Sequence, residues 1–283
     1  MQESPKKYLV AVSGGVDSVV LLDMLVKQHK NILVAHFDHG IRADSSEDAV
    51  FVRQLATKYK VPFFTEREEL GSDASEEKAR QARYKFLRRI AKSQEAEIVT
   101  AHHLDDVIET IIINLTRGTG WRGLAVLNAE GISRPLINLE KTEIINYAKQ
   151  NNLEWREDST NLSNVYMRNI VRHKTQLNEE QKKELQILHQ EQIRLAREIK
   201  SEVTSLLNLI YNDEKISRYF INSIDQASAY EIIRELTKGE LLPAQIDQAV
   251  NAIKTQHEGK TFEASKNIKI HFSTRFFTLE LIK

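Results

Sequence analysis

Tyr8-Leu9-Val10-Ala11-Val12-Ser13-Gly14-Gly15-Val16-Asp17-Ser18 is the stretch that decides the fold of this chain. Five apolar, β-prone residues read as a buried strand. Ser13-Gly14-Gly15 reads as a tight turn, and a helix is expected to begin near Asp17. Glycine lets a backbone turn sharply and come close to a ligand. The first amides of the following helix have no intrahelical partners and sit at the positive end of its dipole. Such a turn cradles phosphate. No Gly-Lys-Ser/Thr follows, so the turn is not a Walker A loop. Gly-x-Gly-x-x-Gly is missing, so it is not a dinucleotide fingerprint.

Outward from this turn, strand and helix alternate. Strands are expected at Tyr8–Val12, Asn31–Phe37, Val61–Glu66 and Glu97–Ala101. Helices are expected at Ser18–Gln28, Asp44–Tyr59, Ser75–Lys92 and Leu104–Thr116, with Ser75 as an N-cap and Val50, Phe51, Leu55 and Ala56 facing inward. Apolar strands between helices predict an α/β fold with a doubly wound parallel sheet. Ligands of such sheets bind at the carboxyl ends of the strands, where Ser13, Asp38 and His102 fall. A further helix is expected at Lys141–Gln150. A long one over Glu179 to about Asn208 carries Leu185, Leu188, Ile193, Leu195 and Ile199 as an apolar stripe. The tail predicts helices near Ala227–Thr237 and Ala244–Gln256. A hairpin is expected from Asn267–Phe272 and Arg275–Ile282. The organisation expected is a catalytic domain at 1–176, a helical linker at 177–210 and a small α+β domain at 211–283.

Composition narrows the chemistry. The chain has 283 residues and no cysteine, which excludes disulfides, iron–sulfur clusters and Cys-ligated zinc. Absence of cysteine fits a reducing cytoplasm. Met1–Lys7 carries no signal-peptide pattern, and no apolar run approaches a membrane span. The 40 basic and 40 acidic residues cancel, so any nucleic-acid surface must be a local patch.

Five further segments bear polar side chains in suggestive patterns. His36-Phe37-Asp38-His39-Gly40-Ile41-Arg42 closes a strand, and alternation puts His36 and Asp38 on one face. In Ala101–Thr110, Asp105, Asp106 and Glu109 lie within one helical turn beside His102 and His103. That cluster suits Mg²⁺, an ammonium group or a histidine–carboxylate zinc site, and equally a capped helix with solvated acids. Arg117-Gly118-Thr119-Gly120-Trp121-Arg122 reads as a flexible cationic loop. Arg168 and Arg172 are four apart, which suits an RNA backbone or a solvated helix face. Arg80, Arg83 and Tyr84 share a face of the Ser75–Lys92 helix, which equally suits a salt-bridged surface helix with Glu76 paired to Arg80.

Taken together these segments resemble the PP-loop ATP pyrophosphatases, and within them the tRNA(Ile)-lysidine synthetases. The resemblance rests on Ser13–Ser18, His36–Arg42, Glu77–Tyr84, His102–Thr110, Arg117–Gly120, Arg134-Pro135-Leu136 and Arg168–His173, in that order. It covers about Tyr8 to Lys174, and the tail matches the family's small C-terminal domain more weakly. Val107 departs from the family, which usually has Gln there. The sulfur chemistry of the related tRNA thiolases needs cysteines, which this chain lacks.

The resemblance implies a cytoplasmic ligase that uses ATP and Mg²⁺ to adenylate the wobble cytidine of isoleucine tRNA with a CAU anticodon. Free L-lysine then displaces AMP. It implies that Ser13, Gly14, Gly15, Val16, Asp17 and Ser18 hold the pyrophosphate part of ATP, with Asp17 at the metal and His36 and Asp38 near the nucleotide. Asp105, Asp106 and Glu109 are implied to hold the lysine, and His102, His103 or a carboxylate to take its proton. Arg80, Arg83, Arg117, Arg122, Arg168 and Arg172 are implied to contact tRNA, and a small tail domain to position it. A homodimer is compatible with the resemblance. Two alternatives stay open: another adenylating ligase of the family acting on a different tRNA base or a small molecule, and a nucleotide- or tRNA-binding module without catalysis.

Overall fold

Chain order begins with β1 (Lys7–Ala11), α1 (Val16–Lys27), β2 (Asn31–Asp38), α2 (Ser45–Lys58) and β3 (Phe63–Arg67). It continues with α3 (Glu76–Gln94), β4 (Ala96–Val99), α4 (Leu104–Thr116), β5 (Ile132–Ser133) and α5 (Lys141–Gln150). The computed structural model describes residues 6–40, 45–71, 75–156, 177–211 and 215–282. The chain divides into two units, Met1–Ile193 and Arg194–Lys283, and the division falls inside the long helix α6 (Glu179–Ile210).

In the first unit the five strands are parallel, in the order β3-β2-β1-β4-β5. Strand pleating sends alternate side chains to opposite faces, and both faces are covered. Val10, Ile32 and Val34 pack against α1, α2 and α5 through Val19, Leu22, Leu55 and Ile144. Leu9, Leu33, Ala35 and Phe37 pack the other face against Tyr84, Phe86 and Leu87 of α3. Each large aliphatic side chain buried this way contributes about 1.5–3 kcal/mol. The sheet is therefore doubly wound, and the order reverses between β1 and β4. Crevices at that reversal are where such sheets bind ligands.

Local chemistry fixes the helix ends. Ser75 Oγ accepts the Lys78 amide at 3.2 Å and caps α3, which ends at Glu95 in the left-handed conformation. A buried carboxylate ties three helices together. Asp23 of α1 accepts from Tyr59 just after α2 at 2.7 Å, from Tyr147 of α5 at 2.8 Å and from Lys27 at 2.8 Å. Two expectations need correction. Val50 points outward and is 55% exposed, and Val52 takes the core position instead. Leu188 and Leu195 of the expected α6 stripe are each more than one-third exposed. The residue that departs from the family, Val107, is fully buried with Ile111 and Val126, an environment with no place for an amide.

The second unit contains β6 (Ile216–Ser217), α7 (Arg218–Ser223), α8 (Gln226–Leu236), α9 (Pro243–Thr255), β7 (Thr261–Ser265), β8 (Ile268–Phe272) and β9 (Phe276–Leu281). Its sheet is antiparallel, in the order β6-β9-β8-β7. Ile232, Ile246, Val250 and Ile253 pack against Ile268, Ile270 and Phe277. The hairpin is β8–β9, with Ile270 opposite Leu279. β6 and β7 add two strands beyond it. No helix among the described residues is long and apolar enough to cross a membrane.

Candidate active site

The turn after β1 is held by one hydroxyl. Ser18 Oγ accepts the amides of Ser13 and Gly14, each at 3.2 Å, and donates to Gly15 O at 2.8 Å. Gly14 has φ +99°, a conformation that L side chains rarely adopt. Gly15 precedes α1, and no side chain caps that helix start. The turn opens on a cleft of about 410 Å³ at the carboxyl ends of the strands. Ser13, Gly15, Asp17 and Ser18 line one side of it. His36, Asp38 and His39 come from the end of β2, and His102 and Asp106 from the start of α4. Gly14 and Val16 belong to the same turn but do not line the cleft, and Val16 is buried in the core.

Asp38 is buried and fully engaged. It accepts the Gly40 amide at 2.9 Å and Arg67 at 3.0 Å. Burial pushes its carboxyl upward, but Gly40, Ser45, Arg67 and His36 outweigh it and hold the group below the usual carboxylate range. His36 turns Nδ1 to Val12 O at 2.8 Å, and a carbonyl only accepts, so Nδ1 carries the proton. His39 stacks edge-on against Phe37, its ring centre 4.9 Å away. Burial first, then Arg83, push its pKa down to about 4. His102 Nδ1 sits 2.8 Å from Thr100 Oγ1.

The acidic start of α4 splits into separate roles. Asp106 lines the cleft and accepts the His103 amide at 3.1 Å. Asp105 turns away and accepts the Lys141 amide at 2.8 Å, at the start of α5. Its carboxyl is depressed to about 2, chiefly by His103, whose Nδ1 lies 3.3 Å away. His103 itself is buried, which lowers its pKa, but Asp105, Asp106 and Asp17 raise it further than burial lowers it. Glu109 is buried on α4 and does not line the cleft.

The arginines separate in the same way. Arg83 lines the cleft, and Arg80 does not. Arg117 is exposed at the end of α4, and Arg122 lies over the Trp121 ring at 4.4 Å. The stretch between them is a tied turn. Asn114 Nδ2 donates to Gly123 O at 2.9 Å, and Thr119 Oγ1 donates to Asn114 O at 3.0 Å. Arg168 and Arg172 lie outside the described residues.

Two basic residues join the site without a local sequence signal. Lys141 Nζ reaches Asp17, 124 positions earlier in the chain. Arg156 lines the cleft and donates to Asp48 at 2.5 Å and Glu47 at 2.9 Å. Its amide donates to Gly14 O at 3.0 Å, so it also braces the turn.

A PP-loop domain matches residues 1–179 of this chain. The tRNA(Ile)-lysidine synthase of Actinobacillus pleuropneumoniae serotype 3 is 37% identical over 175 residues, which cover 59% of this chain and 42% of that protein. The tRNA(Ile)-lysidine synthase of Thermus thermophilus is 42% identical over 178 residues, 60% of this chain and 35% of that one. The matched segments span less than half the length of these relatives. Among solved structures, the U34-tRNA thiolase NcsA from Methanococcus maripaludis superposes with a TM-score of 0.56. At 18% identity, over 70% of this chain and 73% of that one, this is a likeness of fold.

Proposed function

The chain belongs to the PP-loop family, and from that premise we propose that it is an ATP-dependent ligase that modifies tRNA. Its substrates are ATP, free L-lysine and the isoleucine tRNA with a CAU anticodon. The observation that carries this reading is the Ser13–Ser18 turn. Its uncapped helix start opens on the same cleft as His36, Asp38, His102 and Asp106. The names of the two relatives, both tRNA(Ile)-lysidine synthases, support the tRNA-modifying part of this reading.

The reaction has two displacements. The C2 carbonyl oxygen of the wobble cytidine attacks the α-phosphorus of ATP, the α–β phosphoanhydride bond breaks, and diphosphate leaves. The lysine ε-amine then attacks C2 and loses a proton, the C2–O bond breaks, and AMP leaves. The uncapped first amides of α1 and its dipole stabilise the departing diphosphate. Asp106 lines the cleft and gives an ammonium group a partner; Asp105 and Glu109 do not line it. A carboxylate holds an amine protonated, so a base must act before attack. His102 faces the cleft and takes that role.

Mg²⁺ fits this donor set. Among the described residues no group of three His, Asp or Glu side chains forms a metal cage. Mg²⁺ bound with nucleotide needs only one or two carboxylates, because phosphates and water supply the rest. Asp17 is the carboxylate at the turn. The ion, when bound, offsets charge on the phosphates.

The test is incubation with labelled lysine, ATP and bulk tRNA. Label in tRNA together with AMP supports the reading. AMP formed on a small molecule, with no label in tRNA, contradicts it.

A further inference from the structure

Two motifs take no part in that reaction: Tyr84, which closes Glu77–Tyr84, and Arg134-Pro135-Leu136. The fold brings them together. On α3, Arg80, Arg83 and Arg88 surround the Tyr84 ring, with guanidinium carbons 4.9, 5.6 and 5.8 Å from its centre. Positions 80, 84 and 88 are four apart, so they form one ridge of the helix. Arg134, just beyond β5, adds a fourth guanidinium beside the same tyrosine. It spends one nitrogen on Ile132 O at 3.1 Å. Its buried Nε makes no hydrogen bond among the described residues. The hydroxyl of Tyr84, a residue only 7% exposed, has no hydrogen-bond partner other than Arg134 among the described residues.

Such an arrangement is costly on its own. Burial, and Arg80 with it, hold Arg134 below the ordinary guanidinium range against the pull of Tyr84. Among the described residues no carboxylate pairs with Arg88 or Arg134, and the side chain of Glu76, one turn before Arg80, lies outside them. Cation–π contact returns only part of that cost, and like charges at these spacings repel. Crowded guanidiniums with unspent donors are the chemistry that binds an oxyanion.

We propose that Arg80, Arg88, Arg134 and Tyr84 form an oxyanion site for a backbone phosphodiester of RNA, beside the nucleotide cleft. Arg83 belongs to both places, because it lines the cleft and also contacts Tyr84. The other four residues do not line the cleft, so their anion is distinct from the nucleotide within it. A polynucleotide whose base enters the cleft brings phosphodiesters to its rim. The identity of the anion rests on the tRNA reading above; the oxyanion chemistry does not.

The test is tRNA binding by fluorescence anisotropy across a salt series, for wild type, Arg88→Ala, Arg134→Gln and Tyr84→Phe. ATP affinity and thermal unfolding are measured alongside. Arg88 is exposed and Tyr84→Phe is isosteric, so these two variants keep the fold if Arg134→Gln does not. Each arginine variant is expected to weaken tRNA binding about 3- to 10-fold and to lower the slope of log K against log salt by about one. Tyr84→Phe weakens binding about 3-fold with the slope unchanged, because it removes a neutral donor. ATP affinity stays constant. Unchanged slopes in folded arginine variants, with wild type binding normally, overturn the site. Loss of ATP affinity in place of tRNA affinity assigns these residues to the nucleotide and also overturns it. A wild-type protein that binds no tRNA removes the substrate reading first, and this site with it.

Discussion

Lys141 Nζ lies 2.6 and 2.8 Å from the two carboxylate oxygens of Asp17. The same residue donates its amide to Asp105, which sits beside His103, whose Nε2 is 3.8 Å from Asp17. A closed ring of four residues thus joins the starts of α1, α4 and α5. Lys141 does not line the cleft, so it acts through Asp17 as a positioning residue. Misplacing a reacting group by about 1 Å can cost on the order of 10²-fold in rate. Lys141→Met is expected to lower kcat for ATP-dependent AMP formation about 10- to 100-fold, and Lys141→Arg to keep most of it. Equal losses in both variants, tracking a lowered melting temperature, contradict a positioning role.

Asp17→Ala is expected to abolish AMP release while the protein stays folded. The lysine left behind is 38% exposed and can be solvated, so no charge is stranded in the core. Circular dichroism and an AMP assay check this together. Full activity in Asp17→Ala removes Asp17 from the mechanism.

Much of this site was legible because its parts are local. The Ser-Gly-Gly turn follows a strand, and α4 and α5 have the bounds that their periodicity predicts, Leu104–Thr116 and Lys141–Gln150. What stayed hidden depends on distant partners. β5 is two residues long and is a strand only because Ile132 and Ser133 pair with Ile98 and Val99. Lys141 reads as an ordinary lysine at a helix start, and Arg156 belongs to no motif in its own neighbourhood. Their partners, Asp17 and Asp48, lie more than 100 positions away. Val50, Phe51 and Val52 are consecutive apolar residues, so periodicity alone does not select the inward one, and packing against the sheet takes Val52.

His39 is expected to titrate near pH 4, measured by ring-proton NMR. Arg83→Ala raises that midpoint, but burial, the larger cause, keeps it below 6.5. The sign for stability follows from proton counts. Between about pH 6.5 and 4 the unfolded chain binds a proton that the native His39 does not, so stability falls as pH falls through this window. Replacing His39 with Leu flattens that part of the profile. A His39 midpoint at 6.5 contradicts the half-buried setting of the ring.

Gly14→Ala is expected to cost about 1–2 kcal/mol, because an L residue resists φ +99°. An added Cβ would meet Phe51 at 3.5 Å, an ordinary contact, so the cost is one of backbone and not of crowding. Chemical denaturation measures it. No change in stability means the turn relaxes out of this conformation.

The most direct test of the whole account is a mass spectrum of the tRNA anticodon loop after reaction with ATP and lysine, with the nucleotide products measured from the same tube. The account predicts a lysine adduct on the wobble cytidine, accompanied by AMP and diphosphate in equal amounts. ADP and phosphate as products, or AMP formation beside an unmodified loop, contradict it.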